Sequence, residues 1–159
     1  MRRAGAKKQS RSSTKAKRRR VHPGFRILEH PADLGIEGSG STLAKAYEGC
    51  ARGLVSIFVD PSSVRTIAER HITLTALDPD QLLVKWLEEV LYLYDGDGFI
   101  VRKPTITNLT DTHLEASLRG ESFDSGRHRS RLDVKAITYH QLLIAKKAKK
   151  FTARVYVDI

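Results

Sequence analysis

Residues 78–98 read DPDQLLVKWLEEVLYLYDGDG, and this stretch decides the fold class. Asp78 stands at a helix N-cap, Pro79 at the first helical position and Gln81 at the capping-box position. Leu82, Leu83, Trp86, Leu87, Val90, Leu91 and Tyr94 then recur at helical spacing and give a broad apolar face. Asp95-Gly96-Asp97-Gly98 closes the helix. The tetrapeptide superficially resembles a calcium loop, but the later ligands and terminal Glu of an EF-hand are missing, so a helix-ending turn is expected.

Upstream lies a second helix. Ser41 or Thr42 can cap it, and Leu43, Ala46, Tyr47, Cys50, Leu54, Ile57 and Phe58 make one buried stripe before Asp60-Pro61 ends it. Phe25–Leu28 and Leu34–Glu37 are short strand candidates flanking Glu29-His30-Pro31-Ala32-Asp33, and Gly38-Ser39-Gly40 is expected to break the chain. Ile72, Leu74 and Ala76 alternate with His71, Thr73 and Thr75, as in a strand with one wet face.

Everything downstream of residue 98 reads as strands: Phe99–Arg102, Thr105–Asn108, His113–Leu118, Leu132–Tyr139, Leu142–Ala145 and Phe151–Val157. Arg119–Arg131 is expected to be a long charged loop, long enough to have a purpose. Two helices against a mostly antiparallel sheet make an α+β sandwich.

Charge is unevenly placed. Ten of the 28 Lys and Arg residues fall within residues 1–20, which hold no acid, so the rest of the chain carries 18 basic residues against 18 acidic ones. The formal charge of +10 therefore belongs to the N-terminal segment, and the folded part is formally neutral. That segment has too little apolar area to form a core and is expected to be disordered, giving a tail over residues 1–22 and one domain over 23–159. Nonspecific RNA contact and a solubilising extension are both compatible with it. It lacks the apolar stretch of a secretory signal, and no run approaches the ~18 apolar residues of a membrane span. The single cysteine excludes an internal disulfide and a cysteine-rich zinc site, which fits an intracellular, reducing setting.

Catalytic signatures are missing. There is no glycine-rich phosphate loop with its lysine, no His pair at zinc spacing, and no base beside Cys50, which sits on a core stripe. The C-terminal strand, Val155-Tyr156-Val157-Asp158-Ile159, alternates apolar and polar positions to its last residue. An ordered end of this kind places the Asp158 side chain beside the Ile159 α-carboxylate, half of a site for a hard cation. A plain edge strand with solvated carboxylates is the competing reading.

The opening Glu29-His30-Pro31-Ala32-Asp33-x-Gly35-Ile36, Leu87-x-Glu89-x-Leu91-Tyr92-Leu93, Gly120-Glu121-x-x-Asp124, Val134–His140 and the final Asp158-Ile159 together resemble the archease family. Pro31 stands where that family's threonine is expected, which alters backbone freedom and spares the acid. The resemblance runs along most of Phe25–Ile159.

It implies a cytoplasmic accessory protein, not itself an enzyme, whose partner is the GTP- and Mn-dependent RNA-splicing ligase. That ligase joins a 3′-phosphate or 2′,3′-cyclic phosphate end to a 5′-hydroxyl in tRNA splicing and RNA repair. The family stimulates its guanylylation and repeated turnover. Position by position, the resemblance implies a metal site formed by Asp33, Asp158 and the Ile159 carboxylate. It makes Lys135 the functional lysine, with His30 and His140 as neighbours of the site. An all-carboxylate set suits Ca²⁺, Mg²⁺ or Mn²⁺. Strand alternation places Lys135 with Asp133, Ile137 and Tyr139 off the main core face. Without the resemblance, Lys135 reads as a surface lysine. Two other classes stay open: a stand-alone RNA-binding or chaperone-like protein using the tail, and a metal-dependent phosphoesterase.

Overall fold

The computed structural model describes residues 22–29 and 33–159. Seven strands and two helices follow in the order β1 (Phe25–Glu29), β2 (Asp33–Gly40), α1 (Leu43–Phe58), β3 (Ala68–Thr75), α2 (Pro79–Asp95), β4 (Phe99–Leu109), β5 (His113–Ser122), β6 (Ala136–Lys147) and β7 (Lys150–Asp158). One sheet has the order β1-β2-β7-β6 and the other β3-β5-β4, and every pairing is antiparallel. This is the α+β arrangement expected from the sequence. The expected tail lies almost wholly outside the described residues, as does His30.

Local chemistry starts both helices. The Thr42 side chain accepts from the Lys45 amide and the Asp78 side chain from the Gln81 amide, each cap contributing about 1 kcal/mol. Gln81 reaches back to the Leu77 amide, one residue earlier than in a standard capping box. Helix α1 is buried on nearly every side because it meets β2 and β7 of one sheet and β4 of the other. The Trp86 indole locks α2 to α1 by donating to the Tyr47 carbonyl at 2.9 Å. Cys50 is fully buried, as its place on the core stripe requires.

Several boundaries differ from the sequence reading. Gly38-Ser39-Gly40 does not break the chain; it is the end of β2. A Cβ at Gly38 would lie 2.0 Å from the Ala46 carbonyl oxygen, so this glycine lets α1 rest on the strand. The two candidates at Phe99–Arg102 and Thr105–Asn108 are one strand, β4, with register irregularities at Val101/Lys103 and Ile106/Asn108. Pro104 is tolerated inside it because β4 is an edge strand. Strand β5 runs on to Ser122, which shortens the expected loop at its start. Leu142–Ala145 is continuous with Ala136–Tyr139 in β6, whose pairing slips between Thr138 and Leu143 around Gln141 at φ 50°.

Strand β6 begins at Ala136, not at Leu132. Lys135 therefore precedes the strand, and its expected grouping with Ile137 fails: Ile137 is buried and Lys135 exposed. Val134 is buried too, three residues before Ile137. A three-residue spacing of core positions does not fit a strand's period of two, because residues 131–135 lie outside β6.

Candidate functional site

Register brings together residues from distant parts of the chain. Asp33 at the start of β2 lies directly opposite Asp158 at the end of β7, and Asp158 lies opposite Ala136 at the start of β6. The preceding residue, Lys135, donates its amide to the Asp158 carbonyl at 2.8 Å. Val157 is fully buried, so by strand alternation Asp158 faces away from the core, on the side occupied by Tyr156 and Arg154.

That outer face has a contrasting row four residues along β2. There Glu37 sits between Arg26 of β1 and Arg154 of β7, with contacts of 2.9 Å and 2.7 Å. Burial opposes the Glu37 charge, but hydrogen bonds from both arginines and their charges outweigh it and hold the carboxyl below its ordinary range. At the Asp33 row the same two strands place acid against acid. Directly opposed side chains have Cβ atoms about 4.5–5.5 Å apart, close enough for both carboxylates to reach one cation.

Among the described residues, no three His, Cys, Asp or Glu side chains approach closely enough to hold a metal ion. Two carboxylates and the Ile159 carboxylate are hard oxygen donors of one chemical type, so the donor set fits Ca²⁺, Mg²⁺ or Mn²⁺ when the main-chain group is included. His140 of β6 lies edge-on to the Tyr156 ring at 6.0 Å, which puts it two residues along β7 from Asp158. Lys135 is exposed, and Leu132 (49% exposed) and Ile159 (39%) leave apolar surface near this corner.

The segment leading to Lys135 is held by a buried ionic network that sequence reasoning had quoted only in part. Glu121 and His128 are 2% and 1% exposed. The Asp124 amide donates to His128 Nδ1 at 2.8 Å, which leaves the proton on Nε2 to be donated to Glu121 Oε1, 2.7 Å away. Arg127 approaches the same oxygen at 2.9 Å. Desolvation pushes the Glu121 carboxyl up, but hydrogen bonds from the Arg65 main chain, Arg127 and His128, with the Arg127 charge, hold it below its ordinary range. Beyond the network, Arg131 and Leu132 donate their amides to the Phe58 and Ile57 carbonyls at the end of α1. The spacing of Glu121 and His128 was visible in the sequence, but their burial was not.

A second feature escaped sequence reasoning. Arg52, Arg102, Lys103 and Arg131 converge on one cleft, although they are dispersed along the chain.

Residues 25–159 match the model of the Archease protein family (MTH1598/TM1083). The chain is 34% identical over 139 residues to the protein archease of Sulfurisphaera tokodaii, covering 85% of this chain and 98% of that one. It is 39% identical over 136 residues to the protein archease of Saccharolobus solfataricus, with the same coverage of 85% and 98%. Among solved structures, the solution structure of Methanobacterium thermoautotrophicum protein 1598 superposes with a TM-score of 0.72 at 29% identity, covering 86% of this chain and 99% of that one. The crystal structure of an archease from Thermotoga maritima, described as a possible chaperone, has a TM-score of 0.54 at 18% identity, covers 87% and 100%, and shares the fold.

Proposed function

The chain belongs to the archease family, and from that premise we propose that it is a non-enzymatic activator of the GTP- and Mn-dependent ligase that joins a 3′-phosphate RNA end to a 5′-hydroxyl. On this reading it promotes ligase guanylylation and repeated turnover in tRNA splicing and RNA repair, in the cytoplasm. The supporting observation is the row Asp33–Asp158–Ala136, with two acids face to face and Lys135 tied to the same strand end. Two carboxylates facing each other at one strand end are hard oxygen donors that suit a divalent cation.

Asp33, Asp158 and the Ile159 carboxylate would hold the cation, which when bound supplies positive charge for phosphate oxygens. Lys135 adds an ammonium on a flexible stem beside that corner, suited to a phosphate or to a carboxylate of the partner. Exposed Leu132 and Ile159 offer apolar contact to a docked protein. Docked near the nucleotide pocket of the ligase, these groups would stabilise charge that develops during guanylyl transfer.

The test combines the protein with such a ligase, GTP, Mn²⁺ and an RNA bearing a 3′-phosphate. Ligation that becomes multiple-turnover supports the proposal. RNA retention without stimulation would favour a stand-alone RNA-binding or chaperone-like role, and phosphate release without ligase a phosphoesterase.

A further inference from the structure

We propose that the cleft between α1 and β4 binds single-stranded nucleic acid. The cleft has a volume of about 690 Å³, within the range of small-ligand sites and large enough for one nucleotide unit. It opens between the β1 edge of one sheet and the β4 edge of the other, with α1 as its floor.

Four cations line it. Arg52 comes from α1, Arg102 and Lys103 from β4, and Arg131 from the segment before β6. In a domain that is formally neutral as a whole, four cations at one cleft focus a positive field there. The register irregularity between Val101 and Lys103 has a role in this: a bulge re-aims side chains, and both Arg102 and Lys103 are exposed at the cleft while Val101 is buried.

Asp60, the one carboxylate lining the cleft among the described residues, is already engaged. Asp60 accepts from the Ser62 amide and hydroxyl at 3.0 Å and 2.8 Å and faces Arg131 at 3.5 Å. Among the described residues, Arg52 donates to the Pro23 carbonyl, at 3.4 Å. Among the described residues, no carboxylate lies within ion-pair distance of Arg52, Arg102 or Lys103. These cations remain available to phosphate.

The walls favour a nucleotide over a bare anion. Phe25, Val55 and Val101 supply apolar surface, and the exposed His22 ring stacks on Phe25 at 4.9 Å and 14° from parallel. A ring already stacked at the rim is a platform for a base. Residues 1–20 of the same chain carry ten cations with no acid. That additional charge, wherever it is held, favours a polyanion over a free mononucleotide.

The site is separate from the Asp33–Asp158 row, so its test is independent of the ligase proposal. Full-length protein and the pair Arg102→Glu/Lys103→Glu are titrated against a short fluorescent RNA strand at several salt concentrations, with Lys147→Glu/Lys150→Glu in the β6–β7 hairpin as a control of equal charge change. The cleft pair should weaken binding about tenfold more than the hairpin pair and lower the log–log salt slope by about 1.4, the value for two lost single-strand phosphate contacts. Arg102→Gln/Lys103→Gln, a milder change, should show the same order with unchanged thermal melting. Equal losses in cleft and hairpin variants overturn the proposal. So does preference for a duplex, or for GMP over the strand.

Discussion

Lys135 is bound to Asp158 through the main chain: the lysine amide donates to the aspartate carbonyl at 2.8 Å. The position of the lysine is thus fixed by its backbone, and its side chain remains exposed. Truncating that side chain should leave the hydrogen bond and the fold untouched. Lys135→Ala is expected to keep its melting temperature and cation affinity while losing ligase stimulation. Lys135→Arg should recover little, because a planar guanidinium does not replace a compact ammonium. Guanylylation of the ligase measured with each variant checks this, and full activity of Lys135→Ala would return the residue to a solvated surface.

The facing acids are tested by removing one of them. Asp158→Asn takes away one carboxylate of the row across β2 and β7 at an exposed position, so the metal-free protein should melt within a degree or two of the wild type. The same change should abolish the stabilisation that Ca²⁺ or Mn²⁺ gives the wild type, which reaches about 2.7 kcal/mol at a hundredfold excess over Kd. Thermal melts with and without cation measure both effects. A wild-type protein indifferent to cations would remove the metal from the proposal.

The Ile159 carboxylate is tested by moving it. A C-terminal affinity tag converts it to a neutral amide carbonyl and crowds the corner beside Asp158. Deleting Ile159 shifts the carboxylate back by about 3.3 Å along the strand. Both should weaken cation binding and ligase stimulation, whereas an N-terminal tag should do neither. Calorimetry on the three proteins side by side decides it; equal affinities mean a plain strand end.

Acid should loosen the segment before Lys135. The Glu121 carboxyl is held below its ordinary value of 4.5 in the folded protein, so the unfolded chain takes up the proton first as pH falls. Its contribution is therefore present above about pH 4.5 and lost as pH drops through the lower folded value. Glu121→Gln should melt several degrees lower at neutral pH and show a smaller further loss on acidification. His128→Ala should melt lower as well, since it strips a buried carboxylate of a donor. Melting curves between neutral and acidic pH test both.

How much of this was legible depends on the range of the forces involved. Helix α2 could be read in full because Asp78, Pro79 and its apolar spacing act within a few residues of one another. Gly38 could not, because its reason is a helix carbonyl eight residues on and packed from above. Pro104 divided one strand into two on paper, since nothing local says that β4 is an edge. The Asp33–Asp158 row was reached through a resemblance, and the strand register then placed the two acids opposite each other. The cationic cleft had no linear signature at all: residues 52, 102, 103 and 131 meet only through tertiary structure.

The fold also supplies its own chemical probe. Cys50 is the single cysteine, fully buried, with its thiol donating to the Ala153 carbonyl at 3.4 Å and its backbone neighbourhood pressed against Gly38. Burial pushes the thiol up to about 12, so at neutral pH it has almost no thiolate to offer an alkylating reagent. Labelling must then wait for α1 to lift from β2 and β7, the two strands whose ends carry Asp33 and Asp158. The rate of Cys50 modification is an unmodified-sequence clock for the opening of that seam, and a cation pinning the strand ends should slow it.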